Sequence, residues 1–182
     1  MKTETLFTQR LILRRLCPED AAALHRNCSS DEETVRYLER SVSPSPEFTA
    51  SLVSQWISAY ETDDFFLWAI EFEGEIIGTI NLHDVCQAEG TCEIGFSIGS
   101  RWWNRGIMTE AVRAVISHAL NELALQEITG WCAPGNVASA RVMRKAGMHP
   151  TGLARRAVRL NSGEEIDPIR FVIHKPEQEV NP

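Results

Sequence analysis

Arg101, Trp102, Trp103, Asn104, Arg105 and Gly106 stand in one unbroken run, and an apolar stripe of helical spacing starts at the next residue, Ile107. The start of a helix carries unpaired N–H groups and partial positive charge, so it attracts anions. Gly106 lets the main chain approach a ligand closely or take a positive φ. Asn104, two residues earlier, is the non-glycine type that best tolerates the left-handed region. Arg101 and Arg105 add fixed charge suited to phosphate oxygens. Together these residues spell a phosphate cradle; a solvated loop with arginines for solubility is the alternative. The run lacks the Gly-Lys-Ser/Thr of a P-loop and the Gly-x-Gly-x-x-Gly of a dinucleotide site.

A cradle works only if other elements hold it. "LILRRL" (Leu11 to Leu16) alternates like a first strand, and "CPEDAAALHRNC" reads as a helix with Pro18 in its first turn. After a loop carrying Pro44 and Pro46, Leu52, Val53, Trp56, Ile57 and Tyr60 recur at helical spacing. "FFLWAIEFEGEIIGTINLHDV" is two β-favouring runs joined at "EGE", a hairpin signal. "TCEIGFSI" is the strand that leads into the cradle. Cys92, Ile94, Phe96 and Ile98 share one face, and Glu93, Gly95 and Ser97 the other. The second face is small with a single acid, as expected where something lies close against the backbone.

From Ile107 to about Leu125 a broad apolar stripe predicts a helix packed on a sheet. "EITGWCA" is a short strand, and "NVASARVMRKAG" a helix with Asn136 as N-cap and Gly147 as its stop. "GLARRAVRLNSGEEIDPIRFVIHK" closes the chain as a hairpin turning at "NSGE", and the tail from Pro176 is expected to fray. The order β-α-α-β-β-β-α-β-α-β-β predicts one α/β domain over 1–182, a mixed sheet of six or seven strands with helices on its faces.

Composition narrows the partners. At 182 residues with 43% apolar and 24% charged side chains, the chain has the balance of one soluble domain with a real core. A net charge of −7 argues against nucleic acid and suits a cationic partner such as an amine or a basic peptide. No run is long enough for a membrane span, and the N-terminus is not a secretory signal, which makes the cytoplasm the default. Five scattered cysteines without a C-x-x-C pair, and five histidines without an H-x-x-x-H, give neither a disulfide framework nor a metal site. The histidines are read as ordinary surface or core residues.

"RWWNRG" followed by "IMTEA" resembles the acetyl-CoA-binding loop of the GNAT acyltransferases, Gln/Arg-x-x-Gly-x-Gly/Ala, with Asn104 in place of its first glycine. The resemblance is closest to the ribosomal-protein N-terminal acetyltransferase (RimJ/RimL-like) branch. "RLILRRL", "CEIGFSIG", "NVASARVMRKAGM" and "GEEIDPIRFVI" follow in that family's order, so the likeness spans nearly the whole chain.

The resemblance implies a mostly antiparallel sheet splayed at the cofactor site, with acetyl-CoA as co-substrate and no metal. It implies that Arg101 and Asn104, Arg105, Gly106, Ile107, Met108 and Thr109 hold the pyrophosphate, and that backbone groups of Phe96 and Ile98 pair with the pantetheine arm. Core packing is the expected role for either Trp102 or Trp103; one packs in the core or on the helix, and lining the cofactor groove is the alternative for the other. Asn136 would contact the pantetheine arm and Ser139 the sulfur of CoA, beyond simple capping. Glu93, on the ligand-facing strand, is the candidate general base, against a structural ion pair. Asp167 is structural first and a substrate-site residue second, and Arg141, Arg144 and Lys145 read as a solvated helix face.

The reaction implied is direct attack of a primary amine on the thioester in a ternary complex. The acceptor is the N-terminal amine of a protein, or alternatively a small-molecule amine or antibiotic. A non-catalytic acyl-CoA-binding module is the rival from another class. Substrate contacts are expected from Val35 to Trp56 and from the hairpin near Arg155 to Asp167. A monomer and a homodimer are both compatible with the sequence.

Overall fold

The computed structural model describes residues 2–153 and 157–176. The chain opens with strands β1 (Leu6–Phe7) and β2 (Leu11–Arg14). Helix α1 (Asp20–Leu24) follows and runs into a π-helical turn, His25–Ser29. Helices α2 (Glu32–Val35) and α3 (Pro46–Ala59) come next. Ser45 caps α3 by accepting from Phe48 N–H at 3.2 Å, with Pro46 in the first turn. Strands β3 (Phe66–Phe72), β4 (Glu75–Cys86) and β5 (Thr91–Ile98) form a meander. The tight turn at Glu73 and Gly74 has φ of 52° and 81°, as a two-residue hairpin demands.

A 3₁₀ turn (Ser100–Trp102) leads to α4 (Ile107–Asn121), then β6 (Glu127–Cys132), α5 (Val137–Lys145), β7 (His149–Leu153), β8 (Val158–Arg159), β9 (Glu165–Ile166) and β10 (Ile169–His174).

Eight strands make one sheet in the order β1-β2-β3-β4-β5-β6-β10-β7, all antiparallel except β5 with β6. The sequence had predicted six or seven. The extra strands lie at the two edges, where the signal is weakest. β1 is two residues long, and β7 is exposed along its length and contains Pro150 and Gly152, which an edge strand tolerates. The closing hairpin does turn at residues 160–164, with Leu160 N–H donating to Glu164 O at 2.9 Å. Its tip, however, is a separate two-stranded ribbon of β8 and β9, and only its outer parts, β7 and β10, join the main sheet. The expected frayed tail falls mostly on 177–182, outside the described residues.

Both faces of the sheet are covered, and β3 shows it residue by residue. Phe66, Trp68 and Ile70 are buried in the cluster that includes Val112, Val115 and Met143 of α4 and α5. Leu67 and Ala69 point the other way, into the cluster with Leu24 and Val53 of α1 and α3. Nine residues of α4 are buried, and each of its buried Ile, Met, Val and Leu side chains is worth about 1.5–3 kcal/mol. Helix α4 is therefore held firmly, and so is its first turn.

One irregularity defines the centre of the molecule. β5 and β6 pair only through Thr91–Glu93 and Glu127–Thr129. Beyond that point β5 stays with β4 as far as Ile98, and β6 stays with β10 as far as Cys132. The sheet forks at Glu93 and Thr129, which is the expected splay.

Candidate active site

The loop between β5 and α4 is pinned at several points. Ser100 N–H donates to Asp31 Oδ2 at 2.7 Å. Trp102 is buried in the core, with the Arg101 guanidinium 4.4 Å above its ring. Trp103 lines the groove and its indole N–H donates to Ile98 O at 2.9 Å, which fixes the ring. Asn104 has φ of 60° and Gly106 φ of 74°, so both positions where the family loop has a small residue are left-handed here. Asparagine supplies that conformation at modest cost.

Gly106 is the N-cap of α4, and no side chain caps the helix. The first intrahelical bond runs from Glu110 N–H to Gly106 O at 3.1 Å. The amides of Ile107, Met108 and Thr109 precede it, and all three residues line a cavity of about 850 Å³.

The loop is braced from behind by residues the sequence left as part of a strand motif. Arg10 Nη1 donates to Arg105 O at 3.0 Å, and Arg10 Nε to Glu110 Oε2 at 2.7 Å. Glu110 Oε1 also accepts from Thr8 Oγ1 (2.7 Å) and Arg10 N–H (2.9 Å). Burial pushes the Glu110 carboxyl up, but these donors outweigh it and hold it below the usual range. Arg105 itself is exposed, and neither it nor Arg101 is among the cavity-lining residues.

The cavity follows the fork. On its near wall stand Ile94, Phe96 and Ile98, with Trp131 and Cys132 across the gap. Backbone phase tells which groups face it. Gly99 N–H bonds Ile77 O at 3.0 Å, so by alternation Glu93, Gly95 and Ser97 direct N–H and C=O toward β4. Phe96 and Ile98 then direct theirs to the open side, as does Cys92, whose carbonyl accepts from Thr129 Oγ1 across the last paired step. The Ile98 carbonyl is already engaged by Trp103 and by Thr34 Oγ1 (3.3 Å), which leaves its N–H and both groups of Phe96 toward the gap.

Helix α5 forms the far wall. Asn136 Oδ1 caps it by accepting from Ser139 N–H at 3.0 Å, and Ser139 is half-buried beside the cavity. Arg141 and Lys145 also line it, whereas Arg144 lies 5.5 Å over the ring of Phe171. Cys132 is no nucleophile, because burial pushes its thiol up to about 11.

Through the fork the cavity reaches the opposite face of the sheet. There Glu93 Oε1 lies 3.2 Å from His83 Nε2, and Arg40 Nη2 donates to Ser97 Oγ at 3.4 Å. Tyr37, Trp56 and Asn81 complete this end. Asn161, at the hairpin tip, secures the segment after α2: its side-chain N–H₂ donates to Val35 O (2.9 Å) and Arg40 O (3.2 Å), and its main-chain N–H to Leu38 O (2.9 Å). Asp167 is not among the lining residues, and Arg155 lies outside the described residues. Among the described residues no group of three or more His, Cys, Asp and Glu could hold a metal ion, and no helix is long and apolar enough to cross a membrane.

The sheet is mixed and forked, and its open strand edge leads to an uncapped helix start. The family model described as "Acetyltransferase (GNAT) domain" matches residues 10–149. YoaA of Bacillus subtilis (strain 168), an uncharacterized N-acetyltransferase, is 31% identical over 175 residues, 95% of this chain and 98% of that protein. Two solved structures share the fold. RimL, the ribosomal L7/L12 α-N-protein acetyltransferase solved with coenzyme A, aligns over 94% of this chain and 98% of its own, with a TM-score of 0.80 and 20% identity. MccE, the microcin C7 self-immunity acetyltransferase solved with acetyl-CoA and AMP, covers 92% of this chain and 93% of its own, with a TM-score of 0.83 and 17% identity. The chain belongs to the GNAT acetyltransferase family. It is an N-acetyltransferase, and its structural neighbours include the ribosomal-protein branch that its motifs resemble.

Proposed function

We propose that the protein transfers an acetyl group from acetyl-CoA to a primary amine by direct attack in a ternary complex, in the cytoplasm. The observation that carries this is the start of α4. A helix whose first three amides are left uncapped, behind two left-handed residues and facing a cavity that runs through a fork in the sheet, is a site for an anionic, elongated ligand. In this reading the pyrophosphate rests on the amides of Ile107, Met108 and Thr109. The pantetheine arm extends along Phe96 and the Ile98 N–H, with Asn136 facing it. Arg101 and Arg105 contribute long-range positive charge rather than contact.

The thioester then lies where the strands part, with the Ser139 hydroxyl on the sulfur side and Glu93 on the acceptor side. An α-amino group is only about 10% neutral at pH 7 and a lysine side chain below about 0.1%, so a base at Glu93 helps either acceptor. The carboxylate takes a proton from the ammonium and passes it to solvent, and the amine attacks the carbonyl. As the C–S bond breaks, the newly bonded nitrogen loses its second proton to give the amide, and a proton delivered through the Ser139 hydroxyl converts the departing thiolate to the free thiol. A strand N–H at the fork is placed to stabilise the oxyanion.

For the acceptor we favour the α-amine of a polypeptide, which demands less from the base than lysine and is the acceptor named for RimL. The small-molecule reading rests on the likeness to MccE.

The test is thiol release and mass analysis with acetyl-CoA and a panel of N-terminal peptides, polyamines and aminated antibiotics. A gain in mass of one acetyl group on an amine supports the proposal. Coenzyme A binding with no transfer to any amine overturns it. CoA at a hundred times its Kd should also stabilise the fold by about 2.7 kcal/mol.

A further inference from the structure

His83, at the acceptor end of the cavity, reads in the sequence as an ordinary histidine. It stands opposite Glu93 in the β4–β5 ladder, and its Nε2 lies 3.2 Å from Glu93 Oε1. Each of the two side chains keeps about a third of its surface exposed, toward the cavity they both line. The ring's other nitrogen, Nδ1, is buried without a hydrogen-bond partner. A buried, unpartnered imidazole nitrogen needs a reason.

Beside it, Gly95, next on the same face of β5, leaves room for Asn81: a Cβ at that position would lie 2.5 Å from Asn81 Oδ1, while the His83 ring, 3.7 Å away, would be in ordinary contact. The charged groups that act on the ring are Glu93 on β5, Asp84 beside it on β4, and Glu39 from the segment after α2.

With a carboxylate facing Nε2, the neutral ring carries its proton there and donates it to Oε1, which leaves Oε2 for an amine. Any second proton must be taken up at Nδ1. The pair is therefore anionic while Nδ1 is bare and neutral once Nδ1 is protonated. Only the anionic form both attracts an ammonium and accepts its proton.

Resting on the reading of Glu93 as the base, we propose that His83 is a positioning residue that orients Glu93 and, by its own protonation, turns the acceptor site off in acid. The hydrogen bond to Glu93 moves the ring's pKa above the ordinary 6.5 against the opposing effect of burial. The acid limb of activity then belongs to the imidazole rather than to a carboxylate.

The experiment compares kcat/KM against pH for the full-length parent and the His83→Gln and His83→Ala variants, with whichever amine the panel shows to be acetylated. Glutamine keeps an N–H donor for Oε1 but cannot titrate. The parent's acid limb is expected above pH 6.5, and His83→Gln should move it down by at least about one pH unit while keeping the rate at pH 8 within about tenfold. His83→Ala should lose more at every pH. A limb that stays in place in His83→Gln overturns the proposal, even if all rates fall.

A second readout does not need the acceptor. The His83 ring is titrated by NMR in the parent and in Glu93→Gln, with the resonance assigned by its loss in His83→Gln. The midpoint should lie above 6.5 and fall in Glu93→Gln; an unchanged midpoint overturns the coupling. If the parent acetylates no amine while the titration behaves as expected, it is the transferase reading that fails, not the pairing of His83 with Glu93.

Discussion

The two ends of the cavity are made of different materials. At the α4 end the working groups are main-chain amides, set by two left-handed residues and braced by Arg10 and Glu110 from behind. At the far end they are side chains, Glu93, His83, Asn81 and Arg40, brought together from separate segments. A second helix start makes the contrast sharper. α5 also opens on the cavity, yet Asn136 fills its first turn by accepting from Ser139 N–H, while α4 offers only the bare backbone of Gly106. A capped helix start has satisfied its own donors, and an uncapped one keeps them for a ligand. Main-chain donors suit a ligand gripped by its charge, and converging side chains suit one recognised by its own functional groups.

If that division is right, changes at the two ends should move different quantities. Gly106→Val strikes the backbone end hardest. A β-branched residue at φ of 74° is strained, and its Cβ would stand 3.6 Å from the Arg10 guanidinium that braces the loop, so the turn that presents the α4 amides would have to shift. CoA affinity measured by calorimetry should fall more than a hundredfold, and an unchanged Kd would dissolve the comparison. Glu93→Gln addresses the other end. It should lower kcat by 10²- to 10⁴-fold with the CoA Kd within about threefold of the parent, the range for losing a general base. Should the Kd move as much as kcat, the two ends are not separable.

Ser139→Ala lies between them. Losing one hydrogen bond to the departing sulfur should cost about tenfold in kcat and little in Kd, and full activity would remove Ser139 from the mechanism. The smallest effect is on stability. Glu93 raises the His83 pKa, so the pair stabilises the fold below the imidazole's ordinary value near 6.5. That contribution is lost as the pH rises through the raised value. The Tm gap between the parent and His83→Gln should therefore be widest near pH 5.5 and close by about pH 9. A gap that grows with pH contradicts the pairing.

The same division governs what could be read before folding. Arg101 through Thr109 are contiguous, so the left-handed glycine, the asparagine that substitutes for a second one, and the helix start all lie in one local pattern. The splay was legible only through the family likeness, since nothing local in "TCEIGFSI" says where pairing with β6 stops. The brace was not legible: Arg10 and Glu110 lie in two motifs a hundred positions apart, and nothing local says that they pair. His83 was passed over for the same reason, because its meaning comes from the residue opposite in the ladder rather than from its neighbours in sequence. β1 went unseen, and of β7 only Gly152 and Leu153 fell within the expected closing hairpin, because edge strands need neither length nor an apolar face.

If the α4 amides hold a diphosphate and so aim the thioester through the fork, a crystal structure with bound coenzyme A will show pyrophosphate oxygens within about 3.2 Å of the N–H groups of Ile107, Met108 or Thr109, and the sulfur near Ser139 at the parting of β5 and β6. Coenzyme A bound with its pyrophosphate away from the start of α4, or with its sulfur outside the fork, would contradict that placement.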